Sequence, residues 1–314
     1  MVNKKNVSLL GLIFGIIVFV CIYFSPPPQG LDRIAWVTAG IAILMTIWWV
    51  TEAIPIYATG LVPLLLFPLF GLFELKTVSA SYAHPLVLLF LGGFIIASAM
   101  EESGLHKRIA LIILSFSGTS PSKIIAGFMI TTSVLSMWVS NTASTIMMLP
   151  IATSVIVLFT NQQNVEDKNF AVPLLLSIAY AASIGGTATL IGTPTNIMLA
   201  SILSDNYGYK ISFIDWFMIG LPVVVILMPV VWLFLTKVIF KVSSQKSDAL
   251  ENTLAKMKKE IGKSSITEKV VATVFFFTAS LWIFRKTLNE KFSLNLNDTS
   301  IGILGALLLF IIPY

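Results

Sequence analysis

Long apolar runs alternate with short polar segments along the chain: 7–24, 33–51, 57–73, 84–103, 212–236, 266–286 and 299–314. A bilayer-spanning helix needs about 20 mostly apolar residues, so each run predicts one. Two further apolar stretches break the pattern. Stretch 122–159 is too long for one crossing and carries Ser133, Ser136, Ser140, Asn141, Thr142, Ser144 and Thr145 at its centre. Stretch 170–204 is interrupted by Gly185-Gly186-Thr187-Ala188-Thr189-Leu190-Ile191-Gly192-Thr193-Pro194-Thr195-Asn196. The first predicts two short helices meeting at a polar tip, a re-entrant hairpin that returns to the side it entered. The second predicts a broken helix. The whole reads as an all-α polytopic membrane protein.

Composition agrees with lipid as the solvent. The 314 residues are 56% hydrophobic and 11% charged, against roughly 25% charged in a soluble domain. The cations also orient the chain. Residues 237–269 hold eight lysines, and with 122–159 re-entrant and the N-terminus cytoplasmic they fall inside. The inside then collects 14 Lys and Arg residues against 6 outside, as cytoplasmic loops require. A full crossing at 122–159 would put the eight lysines outside.

The first run follows Lys4 and Lys5 as a signal sequence would, but only Ser25-Pro26-Pro27-Pro28 follows it, so 1–32 is expected as a retained peripheral helix. Residues 33–245 form a first repeat. Leu250, Leu254, Met257 and Ile261 sit at helical spacing among charges, which predicts a cytoplasmic surface helix over 246–265. Residues 104–117 suit a second one. The segment Thr278–Phe284 echoes Leu44–Val50, so 266–314 is expected to begin a second repeat, incomplete where the chain stops at Tyr314.

Several function classes drop out. The net charge of +5 is small and scattered, which does not suit nucleic acid. One cysteine, Cys21, and two histidines give neither an internal disulfide nor a metal-ligand spacing. No phosphate-binding loop, dinucleotide fingerprint, H-E-x-x-H or G-x-S-x-G is present, so enzymatic chemistry and ATP-driven pumping have no residues to run on. A membrane-embedded hydrolase would need a base beside Ser140, and none lies near it in sequence.

What remains is the chemistry of interrupted helices. Unwound backbone inside a bilayer is tolerated only where it lines a cavity, and paired interruptions point to a transporter's binding site. Ser140 or Asn141 can cap a new helix, and Thr193 followed by Pro194 starts another. Both new helices aim free N–H groups at the unwound zone, an environment for carboxylate or sulfate oxygens. The half-helices ending near Val139 and Gly186 aim carbonyls the other way, and with hydroxyl and amide oxygens these suit a dehydrated monovalent cation. Neither tip holds Lys, Arg, Asp or Glu. Neutral donors plus a bound cation make anion binding depend on that cation, which is what coupling needs. The competing reading is that Gly, Ser and Thr merely let helices pack closely. Glu52 is expected at a helix end or interface. Glu101, Glu102, His106, Lys107 and Arg108 are expected as interfacial anchors, and Trp48, Trp49 and Trp138 as packing or interfacial aromatics.

Four blocks in order resemble the divalent anion/sodium symporter family. They are Trp48-Trp49-Val50-Thr51-Glu52-Ala53-Ile54-Pro55, Leu89-Phe90-Leu91-Gly92-Gly93-Phe94, Ser140-Asn141-Thr142 with Met147-Met148-Leu149-Pro150, and Ile191-Gly192-Thr193-Pro194-Thr195-Asn196. The resemblance implies an inverted-repeat elevator-type transporter, dimeric, in the cell membrane. It implies sodium-coupled symport of divalent anions such as the C4-dicarboxylates succinate, malate and fumarate, with citrate or sulfate as other cargo of the family. It places substrate at Ser140, Asn141 and Thr142, beside the helix start at Thr193, Pro194 and Thr195. It places a first sodium with Ser136, Ser140, Asn141 and carbonyls near Gly192. Thr195 stands where the family often has a second proline. The family's second hairpin and second broken helix are absent, so the chain alone is expected to be inactive. Sodium-independent dicarboxylate antiport, and an ion permease or channel of similar hairpin plan, are the alternatives.

Overall fold

The computed structural model describes residues 4–118, 120–163, 168–242 and 262–313. Among the described residues all regular structure is helical. The chain forms two compact units, Met1–His84 and Pro85–Tyr314.

In the first unit, α1 (Lys4–Phe24) and α2 (Arg33–Thr51) pack together around Phe19, Val37, Ile41 and Leu44. The Asp32 carboxylate caps α2 by accepting the Ala35 N–H at 2.6 Å. Glu52 closes α2 in the left-handed conformation, φ 48°, and so stands at a helix end as expected. The apolar run 57–73 differs from the expectation of one span. It is two helices, α3 (Ile56–Thr59) and α4 (Val62–Leu69). Pro63 has no N–H to bond back to Thr59, and its ring crowds that carbonyl, which favours the break seen here. The short α5 (Leu75–Tyr82) is tied to this break by the Tyr82 hydroxyl, which donates to the Gly60 carbonyl at 2.6 Å.

The second unit contains α6 (Pro85–Glu102), α7 (Leu105–Ser115), α8 (Pro121–Ser136), α9 (Asn141–Gln163), α10 (Lys168–Gly185), α11 (Pro194–Tyr207) and α12 (Phe213–Leu233). A turn of π-helix follows at Phe234–Ile239, and then α13 (Ile266–Phe292) and α14 (Asp298–Ile311). Helices α8, α9 and α10 share one apolar core. Ile124, Ile125 and Phe128 from the first half of α8 meet it together with Met148, Ala152 and Val155 of α9 and Leu174 and Ile178 of α10. That shared core is what a hairpin backed by a third helix produces. Helix α12 lies against α8 and α10.

Helices α6, α13 and α14 pack around Ile96, Met100, Val271, Val274 and Leu309. Between the two groups, Leu190, Ile191 and Phe213 meet Leu89, Trp282 and Ile301. Trp138 stacks toward Phe213 and sets its edge on Phe275, so it packs, as expected.

Polar contacts pin both ends of α13. Near its start, Arg108 Nε lies 2.9 Å from the Glu268 carboxylate. Near the other end, the Asp298 carboxylate accepts the Phe213 N–H at 2.8 Å and lies 3.3 Å from Arg285 Nε. His106 departs from its expected role as an interfacial anchor. It is 3% exposed, with Nδ1 2.9 Å from the Met100 carbonyl. Its place on the inner face of α7, beside buried Leu105 and Ala110, turns it inward.

Among the described residues, five helical stretches are long and apolar enough to cross a membrane, among them Asn6–Phe24, Arg33–Thr51, Phe213–Ile239 and Ile266–Phe292. Large apolar side chains such as Phe24, Val50, Met218, Ile219 and Phe310 stay exposed. So many exposed apolar groups suit hydrocarbon and not water. The surface helix expected over 246–265 lies largely outside the described residues.

Candidate functional site

Both expected interruptions are present. Helix α8 stops at Ser136, and α9 starts at Asn141 after a four-residue turn. Ser140 is the cap: its hydroxyl accepts the Ala143 N–H at 3.2 Å and its carbonyl the Ser144 N–H at 2.9 Å. Helix α10 stops at Gly185, and α11 restarts at Pro194 with Thr193 extended before it, φ −148° and ψ 145°. Each restart leaves its first N–H groups without intrahelical acceptors.

The two breaks meet. The Ser136 hydroxyl lies 2.8 Å from Asn141 Oδ1 and 2.7 Å from the Ala182 carbonyl on α10. One hydroxyl hydrogen serves two acceptor oxygens there, so lone pairs are left over. Gly186 carries no side chain because Asn141 Oδ1 already occupies the place a Cβ would take. Gly192 abuts the Gly186 carbonyl in the same way. The Thr189 hydroxyl donates to the Met137 carbonyl, joining the second break to the first turn. Ser133 and Ser144, both buried, have hydroxyls with no hydrogen-bond partner among the described residues. Buried unpaired polar groups are rare and ask for an explanation.

Of the residues expected from sequence, Ser136, Ser140 and Asn141 share the hairpin turn, and Gly192 lies against the Gly186 backbone beside Asn141. Thr142, Pro194 and Thr195 are exposed at the two helix starts. Thr193 is half-buried, its hydroxyl 3.3 Å from that of Thr195. No hydrogen bond among the described residues joins the Thr193–Thr195 turn to the hairpin tip. The zone is electrostatically neutral in its side chains, since no charged residue lies within 133–145 or 185–196. Among the described residues no group of three or more His, Cys, Asp or Glu gathers to hold a metal. Any cation here would be met by carbonyl, hydroxyl and amide oxygens.

Two residues that hold the break open escaped the sequence reading. The Asn196 amide donates to the Gly186 carbonyl at 2.9 Å and to the Thr189 carbonyl at 2.8 Å. The Trp216 indole N–H donates to the Thr187 carbonyl at 2.9 Å. Unwinding frees these carbonyls, and buried carbonyls need partners. A carboxamide in the first turn of a helix that follows a break was the signal available for Asn196. Trp216 carried none, because its partner is 29 residues away.

Comparison with known proteins supplies the lineage. Residues 6–313 match the model of the sodium:sulfate symporter transmembrane region. The sodium-dependent dicarboxylate transporter SdcS of Staphylococcus aureus strain USA300 is 40% identical over 99% of this chain and 62% of its own length. The same transporter of strain NCTC 8325 / PS 47 is also 40% identical, and that of bovine strain RF122 / ET3-1 is 39% identical, over the same shares. The chain thus spans about three-fifths of the length of these relatives. They are transporters and not enzymes, and with the spanning-length helices above the chain is a multi-pass membrane protein belonging to the divalent anion/sodium symporter family.

Proposed function

We propose that this chain serves sodium-coupled symport of divalent anions, with C4-dicarboxylates such as succinate, malate and fumarate as cargo. The observation that carries the reading is the meeting of Ser136 and Asn141 with the Ala182 carbonyl and the Gly186–Gly192 backbone, a cluster of neutral oxygens with too few hydrogens. A sodium ion there would take Ser136, Ser140, Asn141 and the backbone at Gly192. The substrate's carboxylates would take the helix starts, Ser140, Asn141 and Thr142 on one side and Thr193, Pro194 and Thr195 on the other. Neither partner would bind well alone, because no fixed charge waits for it.

The length of α8 supports the re-entrant hairpin. Its 16 residues reach about 24 Å at 1.5 Å per residue, short of the roughly 30 Å hydrocarbon core. On this reading the protein lies in the cell membrane with its N-terminus in the cytoplasm and works as an inverted-repeat elevator, paired as a homodimer. The chain alone is expected to be inactive, so uptake of labelled succinate into proteoliposomes by the chain completed with the part of its relatives that it does not span tests the function. Uptake driven by an inward sodium gradient, and lost when choline replaces sodium, is the expected result. Exchange against internal dicarboxylate that ignores sodium would establish antiport instead.

A further inference from the structure

Helix α12 contributes nothing to the proposed ligand set, yet it touches the second break at two places on one face. Trp216 donates its indole N–H to the Thr187 carbonyl at 2.9 Å. Gly220, one turn later and so above Trp216 on the helix surface, lies against the same backbone. A Cβ added there would come within 2.5 Å of the Thr187 carbonyl oxygen and 2.8 Å of that of Ala188. At Gly220 the polar edge of the break therefore rests directly on α12, with no room for a side chain.

The start of α12 is itself held fast. Ser212 and Asp215 close a capping box. The Asp298 carboxylate takes the Phe213 N–H at 2.8 Å, and the Phe213 ring stacks on Trp282 with centroids 4.7 Å apart at 14°. Asn196 fixes the Gly186 and Thr189 carbonyls from within the broken helix. Among the described residues, the hydrogen bond to the Thr187 carbonyl between them comes from α12 alone.

We infer that Trp216 and Gly220 are positioning residues for the cation site: they set the direction of the carbonyls between Gly186 and Ala188, and so the geometry that the neighbouring Gly186–Gly192 backbone and Asn141 offer to sodium. The inference rests on the reading of the breaks as the sodium site. A dehydrated cation is discriminating about ligand geometry, because neutral oxygens must replace its water shell closely. A carbonyl swung away by a lost hydrogen bond, or pushed by a methyl group, degrades that cage without removing a ligand.

The test is a sodium titration of the protein in nanodiscs, read by hydrogen–deuterium exchange of the 185–196 peptide, with choline holding ionic strength constant. In the unsubstituted protein, sodium should slow exchange of this peptide. Trp216→Phe keeps an aromatic ring and removes the N–H. Gly220→Ala keeps the N–H and adds the colliding methyl. Each should raise the sodium midpoint roughly fivefold or more, the size of one lost hydrogen bond to the backbone. Both variants should melt somewhat below the parent without sodium, as an unpaired carbonyl or a colliding methyl requires, but succinate affinity at saturating sodium should hold, which a general packing defect would not spare. Met218→Leu, on the exposed face of α12, should leave the midpoint unchanged. Unchanged midpoints in both test variants would overturn the inference. No sodium-dependent protection in the unsubstituted protein would instead overturn the site assignment beneath it.

Discussion

The side-chain amide of Asn196 spans the second break, bonding the Gly186 carbonyl at 2.9 Å and the Thr189 carbonyl at 2.8 Å. Asn196 is 5% exposed, so nothing from solvent replaces these bonds. One side chain thereby closes the loop that separates α10 from α11.

Asn196→Ala leaves the buried Gly186 carbonyl unpaired and the Thr189 carbonyl with only the longer bond from the Gly192 N–H, at 3.3 Å. An unpaired buried carbonyl costs on the order of 1–3 kcal/mol, so the variant should melt below the parent protein. Peptide 185–196 should exchange its amides fast with or without sodium. Thermal denaturation in detergent and hydrogen exchange check both outcomes. An unchanged melting point would mean that the break does not depend on this clamp.

Gly186→Ala places a methyl group where Asn141 Oδ1 now sits. The amide must swing away from Ser136, and the oxygen cluster opens. Sodium stimulation of transport should fall by at least roughly tenfold, the cost of about 1.4 kcal/mol in binding. Dependence of succinate uptake on sodium concentration, in the chain completed with the part of its relatives that it does not span, reads this directly.

Local chemistry made both interruptions legible. Ser140 is a cap and Pro194 a helix-starting residue whatever surrounds them, so α9 and α11 begin where the sequence places them. The pairing of the breaks was only partly legible, since the Ser136–Ala182 contact joins residues 46 apart and belongs to packing. Trp216 and Thr189 act on carbonyls exposed by unwinding, which no pattern of residue types announces. The run 57–73 misled because its apolar length outweighed Pro63, whose missing N–H favours a break locally. His106 misled in the opposite direction. Between Lys107 and a glutamate pair it reads as an interfacial anchor, but the inward face of α7 buries it.

That burial gives α7 a pH dependence. Desolvation holds the His106 pKa below its usual value, helped by Lys107 and opposed by the Met100 carbonyl and Glu101. A lowered folded pKa means that the unfolded chain binds the proton more readily. The contribution to stability is therefore complete above the unfolded pKa of about 6.5. It is lost as pH falls from there toward the lowered folded value. Melting temperature measured from pH 8 to pH 5 should decline over the acid half, and His106→Gln should flatten that decline. An equal decline in the variant would assign the effect to other groups.

On the proposed reading two solutes are linked at uncharged helix ends, and Asn141 is where they would converge. The most direct measurement is succinate affinity by calorimetry in nanodiscs across a series of sodium concentrations, for the parent protein and for Asn141→Ala. The parent should bind succinate more tightly as sodium rises. The variant should bind both solutes weakly and lose the dependence of one on the other. A variant whose succinate affinity climbs with sodium as steeply as the parent's would contradict the account.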